Sequence, residues 1–346
     1  MKRRSESIEV IMMSITIQDI AELAKVSKGT VSRVLNGGPG VGVETRKRIL
    51  KLIDELDYQP NASAQGLAAK RSNNIGVIIP HTGGYSMSTT YWPTLLTAIT
   101  EKAADQDYNV LLSTARSKED VDSAYRSILK GKRVDGLIVG AEQFGEKQWA
   151  DLLLKDFPFV MVGKSMSLPH YYVDVDNVGG ARRMTEHLID LGHQKITMLA
   201  GPEDLLSVRS RVRGFKEAMS KAHLDPERVT YTTYQTEDAE KTTLQILQKD
   251  PPTALFIAAG DLVLGALEAA RKRKITIPDQ LALVSFDDHP FYPYLSPSIT
   301  AVKQPIHDLG QAAVDMLFML MNKNTPEKKQ ILPVEIVVRG SSKVAR

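Results

Sequence analysis

Cysteine is absent from all 346 residues, which excludes disulfides and thiolate metal sites and fits a cytoplasmic protein. Long apolar runs are absent too: nothing approaches the roughly 18 residues that a membrane span requires. At the N-terminus, MKRRSESIEVIMM holds only the short run Val10 to Met13, set apart from Ile8 by Glu9 and followed by Gln18 and Asp19. That run is too short for a secretory leader. Residues 1–14 are expected to be a disordered extension; alternatively translation starts at Met12 or Met13 and the first dozen residues are not part of the protein. Net charge is nearly absent, +3 in total, but it is unevenly divided. Residues 1–72 carry twelve Lys and Arg against eight Asp and Glu, whereas the remainder carries thirty-two against thirty-three. A basic head on a near-neutral body points to a polyanion partner for the head alone. The chain's length exceeds one ordinary core, so two or three domains are expected, and 42% hydrophobic with 25% charged residues describe a soluble globular protein.

Motifs for nucleotide and metal chemistry are missing as well. GGPGVGVET at residues 37–45 has glycines at a phosphate-loop separation, but Val43 and Glu44 stand where Lys and Ser or Thr are needed. A dinucleotide fingerprint would need a strand before it, and GTVSRVLN has helical spacing instead. His187 and His193 are six apart, wrong for a zinc-binding helix pair, and are expected to be structural. Asp174 with Asp176, and Asp287 with Asp288, are paired carboxylates without a nucleophile motif or an acid/base partner. No enzyme is expected, and no cofactor or metal.

What is present begins at Ile15. In ITIQDIAELAKVSKGTVSRVLNG, Ile17, Ile20, Ala21 and Ala24 share one helical face, and Val31, Val34 and Leu35 another after a break at Lys25 to Ser27. Thr16 and Ser27 stand at N-cap positions. Two short helices joined this way make a helix-turn-helix, whose second helix enters the major groove. A third amphipathic helix follows in ETRKRILKLIDELDY, with Ile49, Leu52, Ile53 and Leu56 facing inward. Beyond it, QPNASAQGLAAKRSN reads as a hinge whose short helix, capped by Asn61, is too marginal in water to order unaided.

TIQDIAELAKVSKGTVSRVLNG, VETRKRILKLIDELDYQPNASAQGLA and IGVIIP, in this order and spacing, resemble the LacI family of bacterial transcription regulators. By that resemblance Lys28, Gly29 and Arg33 form the base-reading face, with Thr16, Ser27, Thr30, Ser32, Asn36, Thr45 and Tyr58 as phosphate and positioning contacts. Lys28 and Arg33 suit guanine O6 and N7, whereas Gly29 has no side chain to read with. The competing account pairs Arg33 with Asp19 or Glu22 on the first helix. In the hinge, Leu67 matches the family's minor-groove wedge, with Asn61 and Ala64 beside it and Gln65 where many members carry Arg. The competing account for Leu67 is packing on the body.

The body shows short β-branched and leucine-rich runs: IGVIIP, YNVLLST, DGLIVG, FVMVG, ITMLAGP, TALFIAA and LALVSF. Between them helices are expected at 93–106, 118–130, 177–191, 209–222, 238–249, 261–273 and 306–322. Such alternation means parallel sheets with crossover helices, too many units for one small sheet. The resemblance continues through VDVDNVGGARRMTEHLIDLGH, RSRVRGF, PPTALFIAAGD, VSFDD and PSITAVKQPI, and implies a body similar to the two-lobed periplasmic sugar-binding proteins. The expected architecture is therefore α/β, a two-lobed doubly wound parallel-sheet body of the type I periplasmic-binding kind, behind a small all-α helix-turn-helix domain. We expect an extension at 1–14, the DNA-binding domain at 15–60, a hinge at 61–73 and the body at 74–346. Lobe 1 would comprise about 74–173 and 305–331, and lobe 2 about 174–304 and 332–346.

By resemblance again, Asp176, Asn177, Arg211, Asp261 and Asp287 line an effector cleft between the lobes, where carboxylates accept from paired hydroxyls and Arg donates a fork. Tyr91 and Trp92, with Tyr85, are placed to stack on a sugar face. The competing accounts are an interlobe Arg211–Asp287 ion pair and core packing of the aromatics. Gly260, Lys164 and Ile306 depart from the family pattern and leave the effector's identity open. The resemblance implies a sugar-responsive repressor, a homodimer on a pseudo-palindromic double-stranded DNA operator. The alternatives are a stand-alone carbohydrate-binding protein, or a regulator answering to a purine or a phosphorylated metabolite.

Overall fold

A computed structural model describes residues 15–35, 37–58, 71–79, 90–114, 128, 133–140, 152, 156–164 and 170–342. Asn36, the hinge residues Asn61, Ala64, Gln65 and Leu67, the helix expected at 118–130 except residue 128, and Tyr85 lie outside them. Contacts divide the chain into two compact units, Met1–Ser72 and Asn73–Arg346.

In the first unit α1 (Ile17–Leu23), α2 (Lys28–Leu35) and α3 (Val43–Glu55) close over Ile20, Ala21, Ala24, Val31, Val34 and Ile49, all buried. Leu52, Ile53 and Leu56 are partly buried against this core. Thr16 opens α1 with a capping box: its N–H donates to Asp19 Oδ2 at 2.7 Å, and its Oγ1 accepts from the Asp19 N–H at 3.3 Å. Ser27 Oγ accepts from the Thr30 N–H at 3.2 Å. The α2–α3 loop turns through Gly37 at φ +65° and Gly40 at φ +88°, conformations that strain any other residue. Arg46 ties that loop down, donating from Nη2 to the Gly38 carbonyl at 2.5 Å. The third helix ends at Glu55, short of the expected Tyr58, because Asp57 turns left-handed (φ 45°) and the Tyr58 N–H returns to the Ile53 carbonyl at 2.9 Å.

The second unit holds two six-stranded sheets. The first contains β1 (Asn74–Ile79), β2 (Asn109–Thr114), β3 (Gly136–Gly140), β4 (Phe159–Val162), β5 (Tyr172–Val175) and β11 (Lys329–Leu332), in the order β11-β5-β4-β3-β1-β2. All five pairings are parallel. The second contains β6 (Ile196–Ala200), β7 (Val229–Tyr231), β8 (Ala254–Ile257), β9 (Ala282–Phe286), β10 (Thr300–Lys303) and β12 (Glu335–Val337), in the order β12-β10-β9-β8-β6-β7. Only its edge strand β12 runs antiparallel. Both sheets thus repeat one doubly wound order, with the strand sequence reversing beside β1 and β6, and ligands of such sheets bind beyond the carboxyl ends of the strands.

Helices α4 (Tyr91–Ala104), α5 (Asn177–Asp190), α6 (Leu206–Lys221), α7 (Thr236–Lys249), α8 (Val263–Lys272) and α9 (Ile306–Met321) cover the sheets. The chain passes between sheets three times, after β5, after β10 and after β11. Asp174 and Val175 still pair within the first sheet, with Ile331 and Leu332, so the sheet boundaries fall one or two residues beyond those read from the sequence. After β10 the chain returns to the first sheet as α9, packed on α4 and on β3 to β5.

Close helix approach is set by glycine in two places. A Cβ on Gly214 would stand 2.1 Å from the Val178 carbonyl oxygen and 2.9 Å from the Arg182 nitrogen, so α6 rests directly on the α5 backbone. Gly265 meets the Thr236 carbonyl similarly, at 2.4 Å. Gly214→Ala is expected to cost about 1–3 kcal/mol by overpacking, read as a lowered urea midpoint; an unchanged midpoint would mean that the helices separate freely.

Candidate DNA-reading face and ligand cleft

Helix α2 turns Val31 and Val34 into the head core and leaves Lys28, Gly29 and Arg33 exposed. Gly29 and Arg33 are four apart, one turn along a single face. Arg33 does not pair with the first helix. Asp19 is occupied by Thr16, which also donates from Oγ1 at 2.7 Å, and Glu22 accepts from Gln18 at 2.6 Å. A Cβ on Gly29 would meet only Ser27 Oγ, at 3.7 Å, so steric demand within the head does not require glycine there. Thr16 and Ser27 serve first as helix caps; Ser27 Oγ also lies 3.0 Å from Thr30 Oγ1. Tyr58 leans on the head core, and Ser32 is half-buried. Helix α3 starts at Gly42 without a side-chain cap, which leaves its first amides and half-buried Thr45 free to meet an anion.

In the body, the carboxyl ends of β8, β9 and β10 meet the start of α4 around an open cleft. Its wall is Thr90, Tyr91, Asp261, Asp287, Asp288, His289, Gln304 and Ile306. Three of the residues expected there line it: Tyr91, Asp261 and Asp287. Arg211 and Asn177 do not; they lie buried behind the wall and brace it. Arg211 donates from Nε to Asn177 Oδ1 at 2.9 Å and from Nη1 to the Ala258 carbonyl at 2.7 Å, while its guanidinium carbon sits 3.9 Å over the Phe286 ring. The ion pair to Asp287, at 3.4 Å, exists but joins groups of one lobe rather than bridging two. Asp176 is not in the wall: its carboxylate caps α5, accepting from the Gly179 N–H at 2.7 Å. Trp92 is half-buried against the core, edge-on to Tyr91 at 5.5 Å. Tyr91 lines the cleft and also packs against the core, whereas Trp92 packs only. Lys164 is exposed beyond β4 and outside the lining.

Asp287 is held on three sides, by Arg211, by the Gly260 N–H at 3.2 Å and by Gln304 Nε2. Asp288 turns the other way into a two-pronged pair with Arg339, at 2.7 and 2.8 Å. The sequence reading missed His289, Thr90 and Gln304. His289 Nδ1 lies 3.3 Å from Thr90 Oγ1 and joins the two lobes, and its Nε2 lies 3.8 Å from Asp261 Oδ1. The signal for it was Gly260, where the family pattern breaks. A Cβ there would fall 2.3 Å from His289 Nε2, so the imidazole occupies the space that a side chain would need. His187 and His193 are structural, within reach of Ser342 and Thr253 hydroxyls at 3.1 Å each.

Burial, reinforced by the charge of Asp287 and opposed by Arg211, raises the Asp261 carboxyl to about 6. Burial lowers the His289 imidazole below its usual range, against the pull of Asp287 and Asp288, so it is neutral at pH 7. A carboxyl raised from 3.8 favours the folded state most below about pH 4, and this contribution is lost as pH rises through about 6. At pH 7 the ionised group is a net cost, at most about 3 kcal/mol for a shift of this size, less whatever solvent screens. Asp261→Asn should therefore raise the melting temperature at pH 7 and lose that advantage below about pH 4; a gain of equal size at both ends would contradict the shift.

A helix-turn-helix head and a two-lobed body with a polar cleft at the carboxyl ends of its strands, carried on one chain, define a ligand-responsive DNA-binding regulator. Residues 16–61 match the lacI family of bacterial regulatory proteins, and residues 185–342 match the periplasmic binding protein-like domain. The chain is 32% identical over 340 residues to catabolite control protein A of Priestia megaterium, covering 96% of this chain and all of that one. It is 33% identical to the ribose operon repressor of Halalkalibacterium halodurans, covering 95% and 97%. Its fold superimposes on the crystal structure of the lac repressor dimer bound to operator and the anti-inducer ONPF with a TM-score of 0.86, at 29% identity over 95% of this chain and 99% of that one. The chain belongs to the lacI family of bacterial transcription regulators. Among the described residues no helix is long and apolar enough to cross a membrane.

Proposed function

We propose that this cytoplasmic regulator represses transcription as a homodimer on a pseudo-palindromic operator, and that a sugar in the interlobe cleft sets its affinity for DNA. The observation that carries the ligand class is the cleft wall. Asp261 and Asp287, with Gln304, His289 and Thr90, offer acceptors and donors at several angles beside the Tyr91 ring, as a polyol requires. The kinship with a ribose operon repressor and with a lac repressor solved with ONPF supports it. A catalytic role is disfavoured by how the carboxylates are used. Asp174 accepts from Asn177 Nδ2 at 3.1 Å, Asp176 caps a helix, and Asp287 and Asp288 are turned to different partners.

On the DNA side, Lys28 and Arg33 read bases, with Thr16, Ser27, Thr30, Ser32, Asn36, Thr45 and Tyr58 placing the head on the backbone. Leu67, flanked by Asn61, Ala64 and Gln65, wedges the minor groove. Leu67→Ala should weaken operator binding and leave effector affinity nearly intact; equal loss of both would contradict a modular protein. Coupling requires that the ligand favour one lobe arrangement over another, and the Thr90–His289 contact is where such a preference acts. A thermal-shift screen of the full chain against mono-, di- and trisaccharides, followed by operator binding with each hit, tests the proposal. Stabilisation by a sugar that changes DNA affinity is expected; stabilisation by a purine and by no sugar would overturn the ligand class.

A further inference from the structure

We propose that the cleft takes a polyol carrying no anionic group, and that it rejects the phosphorylated and carboxylated forms of the same sugars. This rests on the reading of the cleft as the effector site and narrows it. Three carboxylates line the cleft, Asp261 and Asp287 facing it and Asp288 turned to Arg339, and its described lining contains neither Lys nor Arg. Two cations stand behind that wall, and both are engaged. Arg339 grips Asp288 with both prongs, and Arg211, 8% exposed, is held by Asn177, the Ala258 carbonyl and Asp287. A ligand therefore meets carboxylate oxygen before it meets guanidinium. Counted together, three carboxylates and two guanidiniums leave one negative charge, and Asp261, without a cation of its own, carries it.

An anion could instead use helix starts, whose free amides and dipole attract phosphate. Among the described residues three helical segments begin at this cleft, and each offers an anion less than an ordinary helix start does. The turn at Gly260–Leu262 has its first amide donated to Asp287 and carries Asp261 in its first turn. Helix α9 starts behind Pro305, which has no N–H, and carries Asp308 in its first turn. Helix α4 places Pro93 third, removing another donor. Burial keeps the His289 imidazole neutral at pH 7, so it adds a neutral hydrogen-bonding group and no charge. What remains is a set of fixed acceptors for hydroxyl groups that repels like charge, a selectivity built by exclusion as much as by attraction.

The test is calorimetric titration of the full-length protein at pH 7.5 or so with each hexose in four forms: free, 2-amino, 6-phosphate and uronate. We expect at least one free or 2-amino sugar to bind, with its 6-phosphate and uronate at least about tenfold weaker. Asp261→Asn should shrink that gap by about tenfold, because it removes the uncompensated charge and keeps the shape. A phosphate or uronate binding as tightly as its neutral parent overturns the inference and leaves the sugar cleft standing. A gap unchanged by Asp261→Asn overturns its electrostatic origin. Binding of no sugar in any form removes both the inference and the reading beneath it.

Discussion

Replacing Arg211 with Ala should abolish the ligand response and destabilise the body by about 3–5 kcal/mol, the cost of stripping one partner from a buried pair. The side chain is 8% exposed and simultaneously satisfies Asn177 Oδ1, the Ala258 carbonyl and Asp287. Its loss strands a carboxylate in the cleft wall with only the Gly260 N–H and Gln304 to hold it. Since Asp287 also fixes the Gly260 amide, the wall beside Asp261 should loosen with it. Arg211→Lys should recover part of the stability but little of the response, because an ammonium cannot reach three acceptors with a planar fork. Thermal melts give the first quantity, and effector titrations of the operator complex the second. DNA binding by the folded fraction should persist. A normal response in Arg211→Ala would show that bracing Asp287 is irrelevant to the ligand.

Arg33→Ala should reduce operator affinity by roughly 30-fold to 10⁴-fold, since a bidentate base contact contributes about 1–3 kcal/mol and a dimer makes it twice. Little should change in the fold. Arg33 is exposed, and the carboxylates that would have claimed it are already engaged with Thr16 and Gln18. Non-specific DNA should be bound with a much smaller loss, because phosphate contacts carry no sequence information. Fluorescence anisotropy with operator and scrambled duplexes at one salt concentration separates the two. Equal loss on both duplexes would make Arg33 a phosphate contact and transfer base reading to Lys28.

The head was legible in the sequence almost to the residue, because its signals are local. Thr16 and Asp19 form their capping box across three residues, and the apolar spacing of Ile20, Ala21, Ala24, Val31 and Val34 is one helical face after another. The seven apolar runs of the body became β1 to β4, β6, β8 and β9; apart from the edge strand β2 they are buried on both faces, and such strands read as continuous hydrophobic stretches. Strands β5, β7, β10, β11 and β12 escaped notice. They are three or four residues long, and β11, with its exposed Lys329 and Gln330, lies at an edge. A strand that short is specified by the neighbour it pairs with more than by its own pattern.

The cleft divides along the same line. Asp261 and Asp287 could be read from their place after apolar strands, and Tyr91 from the start of a helix. Whether a polar residue faces the cleft or stands behind its wall depended on partners far along the chain. Arg211 reaches Asn177, 34 residues away, and Asp287, 76 away, whereas Thr90 and His289 meet across 199.

By itself the sequence determined a helix-turn-helix head and a body of alternating strands and helices, because caps, periodicities and strand hydrophobicity act within a few residues; the reading as a DNA-binding regulator came from the resemblance of its motifs to the LacI family. Only the tertiary structure decided which side chains line the cleft. Three crossings between the sheets bring the ends of β8, β9 and β10 against the start of α4, and charge there is set by which carboxylates those crossings leave without a cation.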